Sequence, residues 1–137
     1  MHITKQFKFE ASHQLVHHRG KCANLHGHSY IVEVCVAGEI ETQPVSSQGM
    51  VIDFGELSDI WKLRCEPLLD HKHLNDTLPL EATTAENIAA WIYVQFAKDI
   101  AEIKDDIGVA VEYVRVWETA TSSAIATTDD EAVQALS

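Results

Sequence analysis

The chain opens on an alternation of apolar and polar positions. Phe7, Phe9, Ala11 and His13 fall on one side of an extended backbone, with Lys8, Glu10 and Ser12 on the other, which is the two-residue period of a strand with one buried face. The pattern places this strand over Ile3 to Leu15. After the polar break His17-His18-Arg19-Gly20-Lys21, a second run sets His26, His28, Tyr30, Val32, Val34 and Val36 against Gly27, Ser29, Ile31, Glu33 and Cys35. Two such runs joined by a polar loop predict an antiparallel pair. Glu39 to Gly49, with Pro44, Ser46 and Ser47, carries turn chemistry and no period, and reads as a loop.

From Asp53 the period changes. Asp53 and Glu56 stand as a capping pair, and Phe54, Leu57, Trp61, Cys65 and Leu68 recur at three- and four-residue intervals, predicting an amphipathic helix. Leu69 to Leu80 is broken by Asp70, Asn75, Asp76 and Pro79 and is expected to be irregular. Thr83 and Glu86 form a second T-x-x-E box, and Ile88, Trp91, Ile92, Phe96, Ile100 and Ile103 mark the apolar stripe of a longer helix that ends before Gly108. Val109 to Thr119 alternates again and is rich in branched and aromatic side chains, which favours a strand. Ser122 to Thr128 reads as a shorter strand, and the acidic, small-residue tail Asp129 to Ser137 is expected to be mobile. Strands in two blocks around a block of helices argue for an α+β fold, a four-stranded antiparallel sheet with two helices on one face in the order ββααββ. The 137 residues suit one domain spanning 1–137.

Charge narrows the partners. A formal net charge of −11 repels a phosphodiester backbone, so nucleic acid is an unsuitable partner. Charged residues or histidine interrupt every apolar run, so no membrane span is expected. Cys22, Cys35 and Cys65 are an odd number without a C-x-x-C pair, and the first ten residues carry charges where a secretory signal needs apolar ones; both point to a reducing, cytoplasmic setting. Cys35 and Cys65 sit within apolar patterns and read as inert buried thiols.

The histidines carry the first chemistry. Of eight, six fall within the first 28 residues. His26 and His28 are two apart, and on a strand that spacing sends both rings to the same side, about 7 Å apart at Cα. His13 ends the neighbouring strand on its buried face, so antiparallel pairing can bring it over the same point. Three imidazoles suit Zn²⁺, and three protein ligands with an open fourth position are the pattern of a catalytic site. His2, His17 and His18 read as solvent-facing. Cys22, four residues before His26, leaves two chemistries open. As a fourth ligand it would close a structural Cys-His₃ site; off the metal, beside Arg19 and Lys21, it would supply a thiolate near neutral pH.

Six motifs in order resemble the 6-pyruvoyltetrahydropterin synthase superfamily: F-E-A-S-H (Phe9 to His13), C-A-N-L-H-G-H-S-Y (Cys22 to Tyr30), V-I-D-F (Val51 to Phe54), L-D-H-K-H-L-N (Leu69 to Asn75), T-A-E-N-I-A (Thr84 to Ala89) and W-E-T (Trp117 to Thr119). The three residues between Cys22 and His26 resemble its 6-carboxy-5,6,7,8-tetrahydropterin synthase branch, of queuosine biosynthesis. The resemblance implies a tunnelling fold that assembles as a homo-oligomer, a hexamer, with active sites between subunits. It implies a lyase converting 7,8-dihydroneopterin triphosphate to 6-carboxytetrahydropterin, acetaldehyde and triphosphate. The pyruvoyl-forming synthase and a non-enzymatic zinc-stabilised binding domain are the rival readings. The same resemblance assigns one zinc per subunit to His13, His26 and His28, the proton-abstracting base to Cys22, a second proton-transfer unit to Asp70 and His71, and the pterin anchor to Glu118.

Glu118 shares a strand face with Val114 and Val116, so its carboxylate stands where an apolar side chain is expected and needs a partner. The parallel N–H donors of a pterin edge would supply one. Thr84 and Glu86 are explained equally by capping or by polar contacts to that ligand. Arg19 and Lys21 belong to the densest basic segment of an acidic chain, and are expected to receive the triphosphate.

Overall fold

The computed structural model describes residues 1–103 and 108–137. Strand β1 (His2–His13) pairs antiparallel with β2 (His26–Ala37) in the register His13↔His26, Ala11↔His28, Phe9↔Tyr30 and Phe7↔Val32. A 3₁₀ turn at Lys21–Ala23 interrupts the connection. Helix α1 (Phe54–Ile60) starts as expected, with Asp53 Oδ1 accepting from the Gly55 N–H at 2.7 Å. It runs through a π-helical turn (Trp61–Cys65) into α2 (Glu66–Leu69). Then come β3 (Lys72–His73), α3 (Leu74–Thr77), the long α4 (Ala85–Ile103), β4 (Ala110–Thr119), β5 (Ser122–Ala126) and α5 (Glu131–Leu136).

The sheet runs β3-β1-β2-β4-β5, antiparallel except for the two-residue parallel bridge of β3 to the outer edge of β1. The expected antiparallel strands β1, β2, β4 and β5 are thus present, with a fifth, short strand added. Its two residues fall below any length at which alternation can be read. Two other expectations change. Half of the segment 69–80 is ordered as β3 and α3, with Asp70 and His71 in the turn before them, and the tail read as mobile carries α5, whose Val133 is buried against the core while Ala132 and Leu136 pack beside it.

The first helix buries a shifted stripe. Leu57, Trp61, Cys65 and Leu69 are buried, whereas Phe54 and Leu68 are exposed. The π-helical turn accounts for Leu69 replacing Leu68: closing hydrogen bonds five residues apart, as from Glu66 N–H to Trp61 carbonyl, widens the turn and moves the next apolar position to a four-residue step after Cys65. Along α4 the predicted stripe is buried except Ile103. The helices cover one face of the sheet, where Phe9 stacks on Tyr30 and Phe7 on Trp61 at centroid distances of 4.5 and 4.7 Å. Val32, Val34, Val114 and Val116 are fully buried beneath them, each such side chain contributing about 1.5–3 kcal/mol by leaving water. The register this core enforces also sets the chemistry. A slip of one residue in β2 would carry His26 and His28 to the other face.

Candidate metal centre and the adjoining cavity

The end of β1, the start of β2, the end of β4 and the approach to α4 meet at one end of the sheet, and the histidines gather there. Ligand atoms of His13, His26 and His28 all lie within 4.8 Å of one another. His13 is fully buried, and its Nδ1 lies 2.7 Å from the Thr83 carbonyl; His26 Nδ1 lies 2.7 Å from the Asn24 carbonyl. A carbonyl only accepts, so both Nδ1 atoms carry the proton and both Nε2 atoms present lone pairs. Those two Nε2 atoms face each other at 2.9 Å, and His28 Nε2 is buried without a partner among the described residues. Burial holds the His13 and His28 pKa values below the ordinary 6.5, against the opposing pull of Glu118, which keeps the rings neutral. Three imidazoles converging on one point, two of them tautomer-fixed by backbone acceptors with their Nε2 lone pairs turned inward, are a donor set that suits a divalent cation. The residues fit a metal ion.

The carbonyls of Asn24 and Thr83 carry no side-chain signature, and sequence reasoning missed them. Thr83, expected to cap α4, points to His13 instead, with Oγ1 3.3 Å from Nδ1. The cap is Thr84, whose Oγ1 accepts from the Asn87 N–H at 3.3 Å. Asn75 was also missed. Its side chain accepts from Gln14 N–H at 2.9 Å and donates to Gln14 carbonyl at 2.8 Å, pinning the backbone that follows His13.

Beside the trio lies a cavity of about 340 Å³, lined by Cys22, Thr84, Glu86, Glu118, Ser122 and Ser123 among others. Half-buried Cys22 sits on the 3₁₀ turn and stands outside the metal-ligand group. Glu118 reaches both regions: its carboxylate oxygens lie 3.7 Å from His28 Nε2 and 3.9 Å from His13 Nε2. Arg19 and Lys21 are exposed and outside the cavity lining; His2, His17 and His18 are exposed as expected. Cys35 and Cys65 are buried free thiols, and burial pushes both pKa values up.

Asp70 and His71 form a unit elsewhere. Asp70 Oδ1 accepts from the Glu10 N–H at 3.0 Å, and Asp70 Oδ2 lies 3.1 Å from His71 Nδ1. The Glu10 N–H, then His71, holds the Asp70 carboxyl below its usual 3.8, so it is an anion at neutral pH. His71 lines a different cavity, of about 510 Å³, with Glu10, Ser12, Ser29 and His73. Within one chain, therefore, His71 and Cys22 line separate spaces, and His28 borders the one that His71 lines.

His71 also holds φ at +58°, a conformation that costs an ordinary L-residue about 1–2 kcal/mol and that glycine adopts freely. The His71→Gly variant is expected to be more stable than His71→Ala by about 1 kcal/mol in denaturant melts, the reverse of the usual order. Equal or lower stability for the glycine variant would mean that position 71 is not held in the left-handed region.

A mixed sheet with helices on one face, and three histidines that could hold a metal ion beside a cavity holding a thiol and a carboxylate, define an α+β protein with a candidate metal site. Its relatives are more specific. The family model described as 6-pyruvoyl tetrahydropterin synthase matches residues 2–129. A Synechocystis protein named 6-carboxy-5,6,7,8-tetrahydropterin synthase is 45% identical over 127 residues, 89% of each chain. A Haemophilus influenzae protein of the same name is 32% identical, over 88% of this chain and 94% of the other. In fold, the chain is similar to Caenorhabditis elegans 6-pyruvoyl tetrahydropterin synthase, with a TM-score of 0.75, 23% identity and coverage of 94% and 96%. The chain belongs to the 6-pyruvoyl tetrahydropterin synthase family and has its tunnelling fold.

Proposed function

We propose that the chain is a zinc-dependent lyase that converts 7,8-dihydroneopterin triphosphate and water to 6-carboxy-5,6,7,8-tetrahydropterin, acetaldehyde and triphosphate, in the cytoplasm and on the route to queuosine. The observation that carries this reading is the juxtaposition of the three imidazoles with a cavity that holds both Cys22 and Glu118. The two relatives bearing the 6-carboxy name favour this product over the pyruvoyl one.

His13, His26 and His28 would hold the zinc, one per chain, and it would lend Lewis acidity to the hydroxyl oxygens of the substrate side chain. Glu118 accepts the paired N–H donors of the pterin edge and so fixes the ring in the cavity. Cys22, on the same wall, takes the proton from the side-chain carbon next to the ring. Thr84 already spends its hydroxyl on the helix start, which leaves Glu86 as the freer polar contact from α4. Arg19 and Lys21, on the loop before Cys22, receive the triphosphate.

Asp70 fixes the His71 ring through Nδ1 and leaves Nε2 to move a proton. Because this pair sits on the outer edge of β1, it reaches Cys22 only across a boundary between copies of the chain, which accords with a homo-oligomer, a hexamer, whose sites lie between subunits.

Product analysis tests the assignment. Incubation of the zinc-loaded protein with dihydroneopterin triphosphate is expected to yield 6-carboxytetrahydropterin and acetaldehyde by mass spectrometry. A pyruvoyl product would replace the proposed reaction with triphosphate elimination, and no conversion would remove the enzymatic reading.

A further inference from the structure

Glu118 lines the cavity and also reaches into the histidine group. In a strictly alternating β4 it follows Val114 and Val116 onto the covered face, and the register shift between Trp117 and Thr119 delivers it at the end of the strand beside the rings. Its side chain is 25% exposed, and its two oxygens straddle His28 Nε2 at 3.7 Å and His13 Nε2 at 3.9 Å. Neither distance is a hydrogen bond. The His13 Nε2 lone pair therefore faces an acceptor-only carboxylate as well as the His26 lone pair at 2.9 Å, and His28 Nε2 has no partner among the described residues. The His13 and His26 Nε2 lone pairs and the Glu118 carboxylate, closing on one another without an intervening proton, leave a space that a cation satisfies. A tetrahedral ion with bonds of about 2.0–2.1 Å sets neighbouring ligand atoms about 3.3 Å apart. Glu118 thus stands within about half an ångström of the spacing that a fourth ligand needs from two of its three neighbours.

We infer that Glu118 is a fourth, displaceable ligand of the three-histidine site in the substrate-free protein, and that it leaves the metal when a pterin edge offers its N–H donors. The inference rests on the metal reading of the histidines and deepens the anchor role given to Glu118. One carboxylate then serves two partners in turn. With no pterin present the site is closed against adventitious ligands, and pterin binding itself opens the vertex that the substrate oxygens use.

The test uses Co²⁺ alone as the probe, on the metal-free full chain without substrate. The wild type is expected to bind Co²⁺ with the intense visible bands of a four-ligand tetrahedral site. Glu118→Gln is expected to bind it at least tenfold more weakly with altered bands, while His26→Ala loses binding in both backgrounds. Unchanged affinity and bands in Glu118→Gln would overturn the inference while leaving the histidine site intact. Absence of Co²⁺ binding by the wild type would overturn the metal reading beneath it. The wild type alone gives a second measurement if the variant fails to fold. Addition of 7,8-dihydroneopterin, which lacks the triphosphate, is expected to shift the Co²⁺ bands as the carboxylate departs. Pterin binding with no spectral change would overturn displacement.

Discussion

Replacing Cys22 by Ala is expected to lower turnover by roughly 10²–10⁴-fold, the range for removal of a positioned proton-transfer group, while the protein keeps its metal. The two halves of that result come from different observations. Cys22 lines the cavity with Glu118, and the metal-ligand group comprises the three histidines without its sulfur. Steady-state product formation, metal content per chain and thermal melts on one preparation decide the matter. Loss of metal and stability together with activity would mean that sulfur closes a Cys-His₃ site, and the binding-domain reading would take over from the enzyme.

The second large effect concerns the metal itself. His26→Ala is expected to cost more metal affinity than the ~10–100-fold typical of losing a supporting partner, since it removes one of three direct ligands. His26 is the ligand of choice for this test because it is partly exposed and His13 is fully buried, so truncating His13 would mix cavity formation with ligand loss. The wild type at a metal concentration about a thousand times its Kd gains about 4 kcal/mol of stability by mass action. Chelation is therefore expected to lower its Tm by roughly 10 °C for a chain of this size. The Tm of His26→Ala is expected to be insensitive to chelator. A wild type whose Tm ignores chelator would show that no ion is coupled to the folded state.

Much of this site was legible in the chain because the information is local. The two-residue spacing of His26 and His28 fixes a shared face once the segment is a strand, and the valines that follow fix which face is covered. His13 lies opposite His26 for the same reason: the alternations of β1 and β2 both have to bury their apolar residues, and only one register does so. Glu118 announced itself as a carboxylate in an apolar series. Helix α4 was legible from its stripe, although its T-x-x-E box was read at Thr83 and the cap falls on Thr84, because adjacent threonines are equally good caps on paper and only the position of His13 separates them.

The rest was decided by long-range contacts that leave no periodic trace. A two-residue parallel bridge placed Asp70 and His71 on the far edge of β1, away from the Cys22 cavity. A π-helical turn shifted the buried row of the first helix, and the six-residue α5 was too short for its Val133 to stand out from an acidic tail. The amino-acid order by itself determined which side chains share a face, because alternation and helical period record burial directly. Tertiary structure alone decided which backbone carbonyls set the imidazole tautomers, how near the Glu118 carboxylate comes to the metal ligands, and on which side of the sheet the second proton-transfer pair stands. Those are distances between segments up to 105 residues apart, from His13 to Glu118, and only the packed core brings them within reach.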